Sequence, residues 1–315
     1  MRDRSKNLTL IGLDIEGEWN LPLLKNAAEL SDAAFRLINQ HKIPAQSSEA
    51  SFPTTPDPIT SVEDLRTEFD CLLACETGKI SRSIYGYPAP RGRVALLVGN
   101  ELHGIPRGDL RKVDQVLSIP MKQSQMSSVN VAVAAAVSLY TLSHDLARKG
   151  IKPSRMRQSN IDVLIYGADD PSELGSLFRS MWAFGWKRVF LDDRAGIWFV
   201  KDRQTILAGR AAARREKNPL AILPADKLSI GSYGAVVVCS DGGSGTPLSR
   251  FRVPATERML IVFGRGIPPV TDAGTVIQEI FVDHVSRQVE PCYRHSGSIL
   301  LSYIAECSSS ESRHG

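Results

Sequence analysis

Short apolar runs, each closed by a glycine, a proline or a polar loop, alternate along this chain with longer stretches whose apolar residues fall at helical spacing. Residues 8–15 (LTLIGLDI) predict a buried strand, and residues 21–38 carry apolar positions at the spacing of a helix. Residues 46–60 are rich in Ser, Pro and Thr and predict an exposed loop. Residues 69–75 (FDCLLAC) form a second short apolar run. Residues 94–98 (VALLV) predict a buried strand ending at Gly99, and residues 116–119 a short strand ending at Pro120. Residues 131–142 (VAVAAAVSLYTL) are apolar nearly all round, as in a buried helix.

The character then changes. Residues 147–160 (ARKGIKPSRMRQSN) hold Arg148, Lys149, Lys152, Arg155 and Arg157 and no acid, and predict an interdomain linker. After it the order starts again. Residues 161–166 (IDVLIY) predict a strand, 174–184 a helix, 235–239 (AVVVC) and 260–263 (LIVF) strands, and 298–305 (SILLSYIA) a last apolar helix. The strand 260–263 ends at Gly264 as 94–98 ends at Gly99. Alternating short strands and helices predict an α/β fold with a mainly parallel sheet, and the repeated order predicts it twice. The expected division is a first domain over 1–147, a basic linker over 148–160, a second domain over 161–307 and a disordered polar tail over 308–315.

Composition narrows this picture little. The chain has 315 residues, 43% of them hydrophobic, enough for two domain cores. Its 38 basic and 34 acidic side chains leave a net charge of +4, which permits nucleic-acid binding without arguing for it. The five cysteines are irregularly spaced, so they are expected to be reduced thiols in a cytoplasmic protein. Cys71 and Cys75 lack a second pair to complete a zinc site, and no metal is expected. The charged start MRDRSKN has no apolar signal core after it, and no apolar run is long enough to predict a membrane span.

The chemistry concentrates in two stretches. In residues 96–104 (LLVGNELHG) a buried strand ends in a glycine, an acid and another glycine. Glycine there allows close backbone approach or positive φ, and ligands of open α/β sheets bind beyond the carboxyl ends of strands. In residues 119–136 (IPMKQSQMSSVNVAVAAA) a strand end and a polar loop lead to Ser128 and Asn130 before a buried helix. Either residue also suits a plain helix N-cap, and a lone Glu101 also suits a solvated loop acid.

Together these stretches resemble motifs of the SpoU-type (TrmH-like) branch of the SPOUT RNA methyltransferases. Gly99-Asn100-Glu101-Leu102-His103-Gly104 is similar to the second motif. Ile119-Pro120-Met121 with Ser128-Val129-Asn130-Val131 is similar to the third. The loop from Met121 to Ser128 is one residue longer than the family's, with Gln123 where glycine is common. The family's first motif, N-x-G-x-x-x-R, is divided between the halves. The first half keeps the asparagine, Asn20, but has Asn26 at the arginine position. The second half has Glu173 at the asparagine position but keeps Gly175, Arg179 and a following Phe184-Gly185. Elsewhere it departs, with Gly266 where the glutamate belongs and Ser298 where the asparagine belongs.

The resemblance implies two tandem SPOUT-like domains, each ending in a trefoil knot. It implies S-adenosylmethionine bound near Val98, Gly99, Gly104, Ile119, Met121, Ser128 and Val129. Arg179, Glu101, Ser128 and Asn130 would carry the methylation of a ribose 2′-hydroxyl in tRNA or rRNA. The divided motifs suggest a fused pseudo-dimer with one composite site, itself a monomer or a homodimer. Arg210, Arg214, Arg215 and Lys217 join the linker residues as candidate RNA contacts; Arg210, Arg214 and Lys217 share one face if the segment is helical. The alternative is a non-catalytic RNA-binding protein of this fold. A nicotinamide-dependent enzyme is disfavoured, because residues 8–20 lack the G-x-G-x-x-G triplet.

Overall fold

A computed structural model describes residues 7–17, 19–39, 61–78, 80–122, 128–199, 203–214, 217–240, 243–267 and 275–308. It divides into two compact units, each taking a short segment from the far half of the sequence. The first comprises Met1–Pro120, Asn130–Gly150 and His284–His295; the second comprises Met121–Val129, Ile151–Asp283 and Ser296–Gly315.

The first unit runs β1 (Leu8–Leu13), α1 (Asn20–Leu30), β2 (Ala34–Ile38), β3 (Cys71–Cys75), β4 (Arg82–Ser83), β5 (Val94–Val98), α2 (Arg107–Leu110), β6 (Gln115–Ser118), α3 (Val131–Ser143) and α4 (Leu146–Lys149). Its strands lie in the order β2-β1-β5-β3-β6-β4, and every pairing is parallel. A parallel strand with both faces covered reads as an unbroken apolar run, and all five residues of β5 are buried. Helix α3 is equally apolar. Two of its buried hydroxyls find partners inside the fold: Thr141 Oγ1 donates to Val137 O at 2.7 Å and Ser138 Oγ to Cys75 Sγ at 3.3 Å.

One expectation fails here. The helical spacing over residues 21–38 covers two elements, not one. Helix α1 closes at Leu30, where the Asp32 and Ala33 amides bond back to Glu29 and Ala28. Asp32 then takes a left-handed conformation, φ 52°, and β2 follows as an edge strand paired to β1. Its pattern AFRLI suits either period, and the register with β1 decides it.

The second unit runs β7 (Ile161–Tyr166), α5 (Pro171–Ala183), β8 (Arg188–Asp192), α6 (Arg203–Ala212), β9 (Ala221–Pro224), β10 (Ala235–Cys239), β11 (Thr246–Pro247), β12 (Met259–Gly264), β13 (Val276–Phe281) and α7 (Tyr293–Cys307). The first turn of α7 is grouped with the first unit. Its sheet is parallel throughout, in the order β9-β8-β7-β12-β10-β13-β11. With β8 for β2, β7 for β1, β12 for β5, β10 for β3, β13 for β6 and β11 for β4, this is the first sheet's order with β9 added outside. At the start of β7 the buried Asp162 receives Tyr233 Oη at 2.7 Å, Arg258 Nη2 at 3.2 Å and the Arg188 guanidinium. Burial alone would raise its carboxyl; those three donors hold it below the usual range.

The basic stretch 148–160 lies in the chain between the two sheets, and much of it is packed. Met156 is buried, Ser154 N donates to Cys307 O at 2.7 Å, and Gln158 Nε2 donates to Phe184 O at 3.1 Å. Ser308, placed by the sequence in a disordered tail, is buried and bonds Ile304 O through both N and Oγ. Residues 46–60 and 309–315 lie outside the described residues. Among the described residues no helix is long and apolar enough to cross a membrane, and no cluster of ligating side chains suits a metal.

Candidate active site

The carboxyl ends of the first unit's strands carry a connected set of polar side chains. Glu101, in the loop after β5, accepts three hydrogen bonds. They come from Glu16 N at 3.1 Å, Gly17 N at 3.0 Å and Asn20 Nδ2 at 2.6 Å. Asn20 Oδ1 in turn accepts from Asn130 Nδ2 at 3.0 Å. Asn130 uses its own Oδ1 to cap α3, accepting from Ala132 N at 2.9 Å. So the lone acid is not merely solvated, and the helix cap is also a network member. One residue from each of the three sequence motifs meets the next, across separations of 81 and 110 residues.

The loop after β5 is self-supporting. Asn100 is buried; its Nδ2 donates to Asp14 O and to Glu16 Oε1, both at 2.8 Å, and its Oδ1 accepts from Leu102 N and His103 N. A Cβ at Gly99 would overlap the backbone of Gly104 and Ile105. A Cβ at Gly104, φ 66°, would overlap the Glu76 carboxylate. Both glycines are therefore required by the chain's own folding at this turn. Glu76 completes the turn: its Oε2 accepts from Ile105 N at 2.9 Å, and its N donates to Leu117 O on β6. Sequence reasoning did not single out Glu76, Asn100 or Glu16. Asn100 had a signal in its motif; Glu76 sits 29 residues from the amide it caps and had none.

Of the residues expected near a cofactor, Val98 and Ile119 are buried. Met121 and Val129 are half-buried. Gln123, where the loop departs from the family pattern, lies outside the described residues.

Arg179 stands on α5 in the second unit, together with Ser128 and Val129. Its Nε donates to Ser128 O at 3.2 Å, and its Nη2 to Ser128 Oγ at 2.9 Å and Val129 O at 3.2 Å. All three acceptors are neutral, and among the described residues no carboxylate pairs with it and Nη1 bonds to none. Burial, with the positive charge of Arg214 added, pushes the guanidinium down to about 10. The same loop is fixed one residue past Met121. Lys122 N donates to Ala183 O at 2.9 Å, and its Nζ donates to Gln158 Oε1 and Ala305 O, both at 2.8 Å. Gly185, the glycine of the Phe-Gly pair, lies against the Lys122 side chain.

In the first unit the position corresponding to Arg179 is Asn26 on α1. Asn26 Nδ2 donates to Glu290 O at 3.0 Å, and its Oδ1 lies 3.1 Å from His295 Nδ1. His295 is fully buried, and burial, with Arg294 and His284 nearby, pushes it down to about 3, so it is neutral. The second half's Ser298, at the expected asparagine position, is buried with its Oγ unpartnered.

The basic candidates do not form the single helical face expected of them. Helix α6 ends at Ala212, and Arg214 lies beyond it at φ 48°. Lys217 follows further on, while Arg215 is outside the described residues. Arg210, Arg214 and Lys217 are all exposed. A cleft of about 1150 Å³ lies at the opposite, amino ends of β1 and β5, lined by Leu8, Val94, Leu142 and Arg148, and contains none of the motif residues.

Residues 39–140 match the family model described as the SpoU rRNA Methylase family. No curated protein matches the chain. Among solved structures it is similar to the TrmH/SpoU tRNA modifying enzyme of A. aeolicus, at 20% identity over 47% of this chain and 79% of that one, with a TM-score of 0.38. It is also similar to the SpoU methyltransferase AviRb of Streptomyces viridochromogenes in complex with AdoMet. That match has 19% identity over 45% of this chain and 58% of that one, TM-score 0.33. A putative RNA methyltransferase of the TrmH family from Porphyromonas gingivalis is 16% identical over 77% of this chain and 85% of that one, TM-score 0.34.

Proposed function

We propose, from the premise that residues 39–140 are a SpoU-family methylase segment, that this chain is an S-adenosylmethionine-dependent methyltransferase of an RNA ribose 2′-hydroxyl. We read it as a fused pair of like domains, each knotted at its end, with one competent site. The observation that carries the reading is the network joining Asn20, Glu101 and Asn130. The common strand order of the two sheets supports the duplication.

The residues fit the cofactor. At the carboxyl edge of the first sheet, Ile80 and Leu102 stand 78% and 73% exposed, aliphatic surface that an adenosyl group would cover. A Cβ at Gly78 would meet nothing within 4 Å, so there is room beside β3. Val98, Gly99, Gly104, Ile119, Met121, Ser128 and Val129 would hold the group, through backbone where side chains are buried. When bound, it supplies an electrophilic methyl on a sulfonium.

The chain's own residues do the rest. Glu101, Asn20 and Asn130 hold the loops rigid so that the acceptor ribose is aligned. Arg179 is presented by the loop it grips. With its guanidinium pushed down only to about 10 it stays protonated near neutral pH, so Arg179 acts as a donor to the developing alkoxide while the hydroxyl proton passes to solvent water. The adjacent positive charge of Arg214 suits an RNA phosphate at the same place. Asn26 and the neutral His295 supply no cation at the corresponding position, which argues for one site and not two.

Calorimetric titration with S-adenosylmethionine tests the reading. One site per chain is expected. Two sites would refute the single-site proposal, and none would favour an RNA-binding protein without catalysis. A sedimenting mass of one chain is expected for an internal pseudo-dimer.

A further inference from the structure

The first unit carries one large aromatic that its fold does not use. Trp19 is 87% exposed, the most exposed of the large apolar side chains among the described residues. A tryptophan ring left in water forgoes about 150–250 Å² of burial, area that a flat ligand can cover. The three other tryptophans are treated differently: Trp186 and Trp198 are buried, and the Trp182 indole nitrogen is enclosed. Position matters as much as exposure. Trp19 immediately precedes Asn20, whose side chain bridges Glu101 and Asn130. Its backbone already has helical angles, φ −61° and ψ −24°, at the start of α1. The ring is thus tethered to the most cross-linked point of the proposed ribose site.

We propose that Trp19 is a stacking platform for a nucleobase of the RNA, beside the nucleotide whose ribose meets the Asn20–Glu101–Asn130 network. This rests on the methyltransferase reading. Stacking suits the residue because every base offers a flat π-face, and an exposed indole has the matching area without needing a particular hydrogen-bond partner. An extended RNA strand places bases next to the reacting ribose, where the single bond from Asn20 to Glu101 locates α1's first turn.

The test uses the full chain, oligoadenylate, and an abasic oligoribose-phosphate of equal length. The difference in emission between wild type and Trp19→Phe isolates the Trp19 signal. Oligoadenylate is expected to quench that signal and shield it from acrylamide. Trp19→Ala should weaken oligoadenylate binding about 5- to 150-fold, the range for losing one base stack. Trp19→Phe should keep most of the affinity, and neither change should alter binding of the abasic strand. Unchanged Trp19 emission in the bound complex, equal affinity of Trp19→Ala, or no binding of oligoadenylate at all would overturn the proposal. S-adenosylmethionine titration on the same samples separates the two ideas. Stacking without cofactor binding refutes the enzyme and leaves the platform. Cofactor binding with an inert Trp19 refutes the platform alone.

Discussion

Two helices at corresponding places in the two sheets, α5 and α1, each use one side chain to grip a loop, and they do it with different chemistry. Arg179 on α5 holds Ser128 and Val129 with three hydrogen bonds, is pushed down to about 10, and among the described residues leaves Nη1 unspent. Asn26 on α1 holds Glu290 and faces His295, and the whole contact is neutral. Both do the structural work of fixing a loop. A hydrogen-bonding amide suffices for that, so the charge on Arg179 is surplus to structure. A half-buried cation facing neutral acceptors is harder to maintain than an amide, which makes Arg179 the candidate for a functional role.

The largest expected effect breaks the comparison directly. Arg179→Ala should lower the methyl-transfer rate about 10²- to 10³-fold, the usual loss of a charge-stabilising donor, with cofactor affinity within error of wild type. Single-turnover rates and calorimetry on one preparation decide it. Full activity would leave Arg179 a mere loop clamp like Asn26. The pH profile sharpens the same point. A donor role predicts no rise in rate attributable to Arg179 up to pH 9 and a fall towards 10, whereas a base would make the rate climb through that range.

Glu101 tests the network whose glutamate and asparagine positions the second half fills with Gly266 and Ser298. It accepts three bonds and donates none. Glu101→Gln would set an NH₂ against at least one of those donors, destabilising the first unit by about 1–3 kcal/mol, measurable by urea unfolding. Activity should fall with it because the β1–α1 loop is then free to move. An unchanged midpoint would mean the three bonds matter little.

Much of this was legible beforehand. Residues 94–98, 161–166 and 235–239 become β5, β7 and β10 without adjustment, since unbroken apolar runs of five or six have few other uses in a parallel sheet. Asn20, Glu101 and Asn130, quoted from three separate motifs, are hydrogen-bonded in series. What escaped was set by distant partners. β2 looked helical because a short edge strand's pattern is ambiguous until β1 is beside it. The exchange of Met121–Val129 and His284–His295 between units has no local signature, and neither does Glu76 as a cap on Ile105. The shared face of Arg210, Arg214 and Lys217 failed because α6 stops at Ala212.

Acid titration separates the two grips again. His295 is lowered to about 3 from an ordinary value of 6.5, so between these values the unfolded chain binds a proton that the folded chain does not. Stability should therefore be full above pH 6.5 and decline as pH falls towards 3. Urea midpoints across that window should slope, and the slope should lessen in His295→Asn. Arg179 contributes nothing there, because it is protonated in both states.

The smallest expected effect is Asn26→Ala. It removes one donor to Glu290 O and one partner of His295, a loss of about 1–2 kcal/mol in the first unit. The midpoint should shift and the rate should not, beyond what the lost stability explains at the assay temperature. That pairing makes the weak mutation informative. Arg179→Ala and Asn26→Ala each release a loop from a helix. If both depress the rate alike, loop fixation is what the reaction needs and the guanidinium charge is incidental. If only Arg179→Ala does, the difference between the two is the contribution of charge, because the clamp has been lost in both.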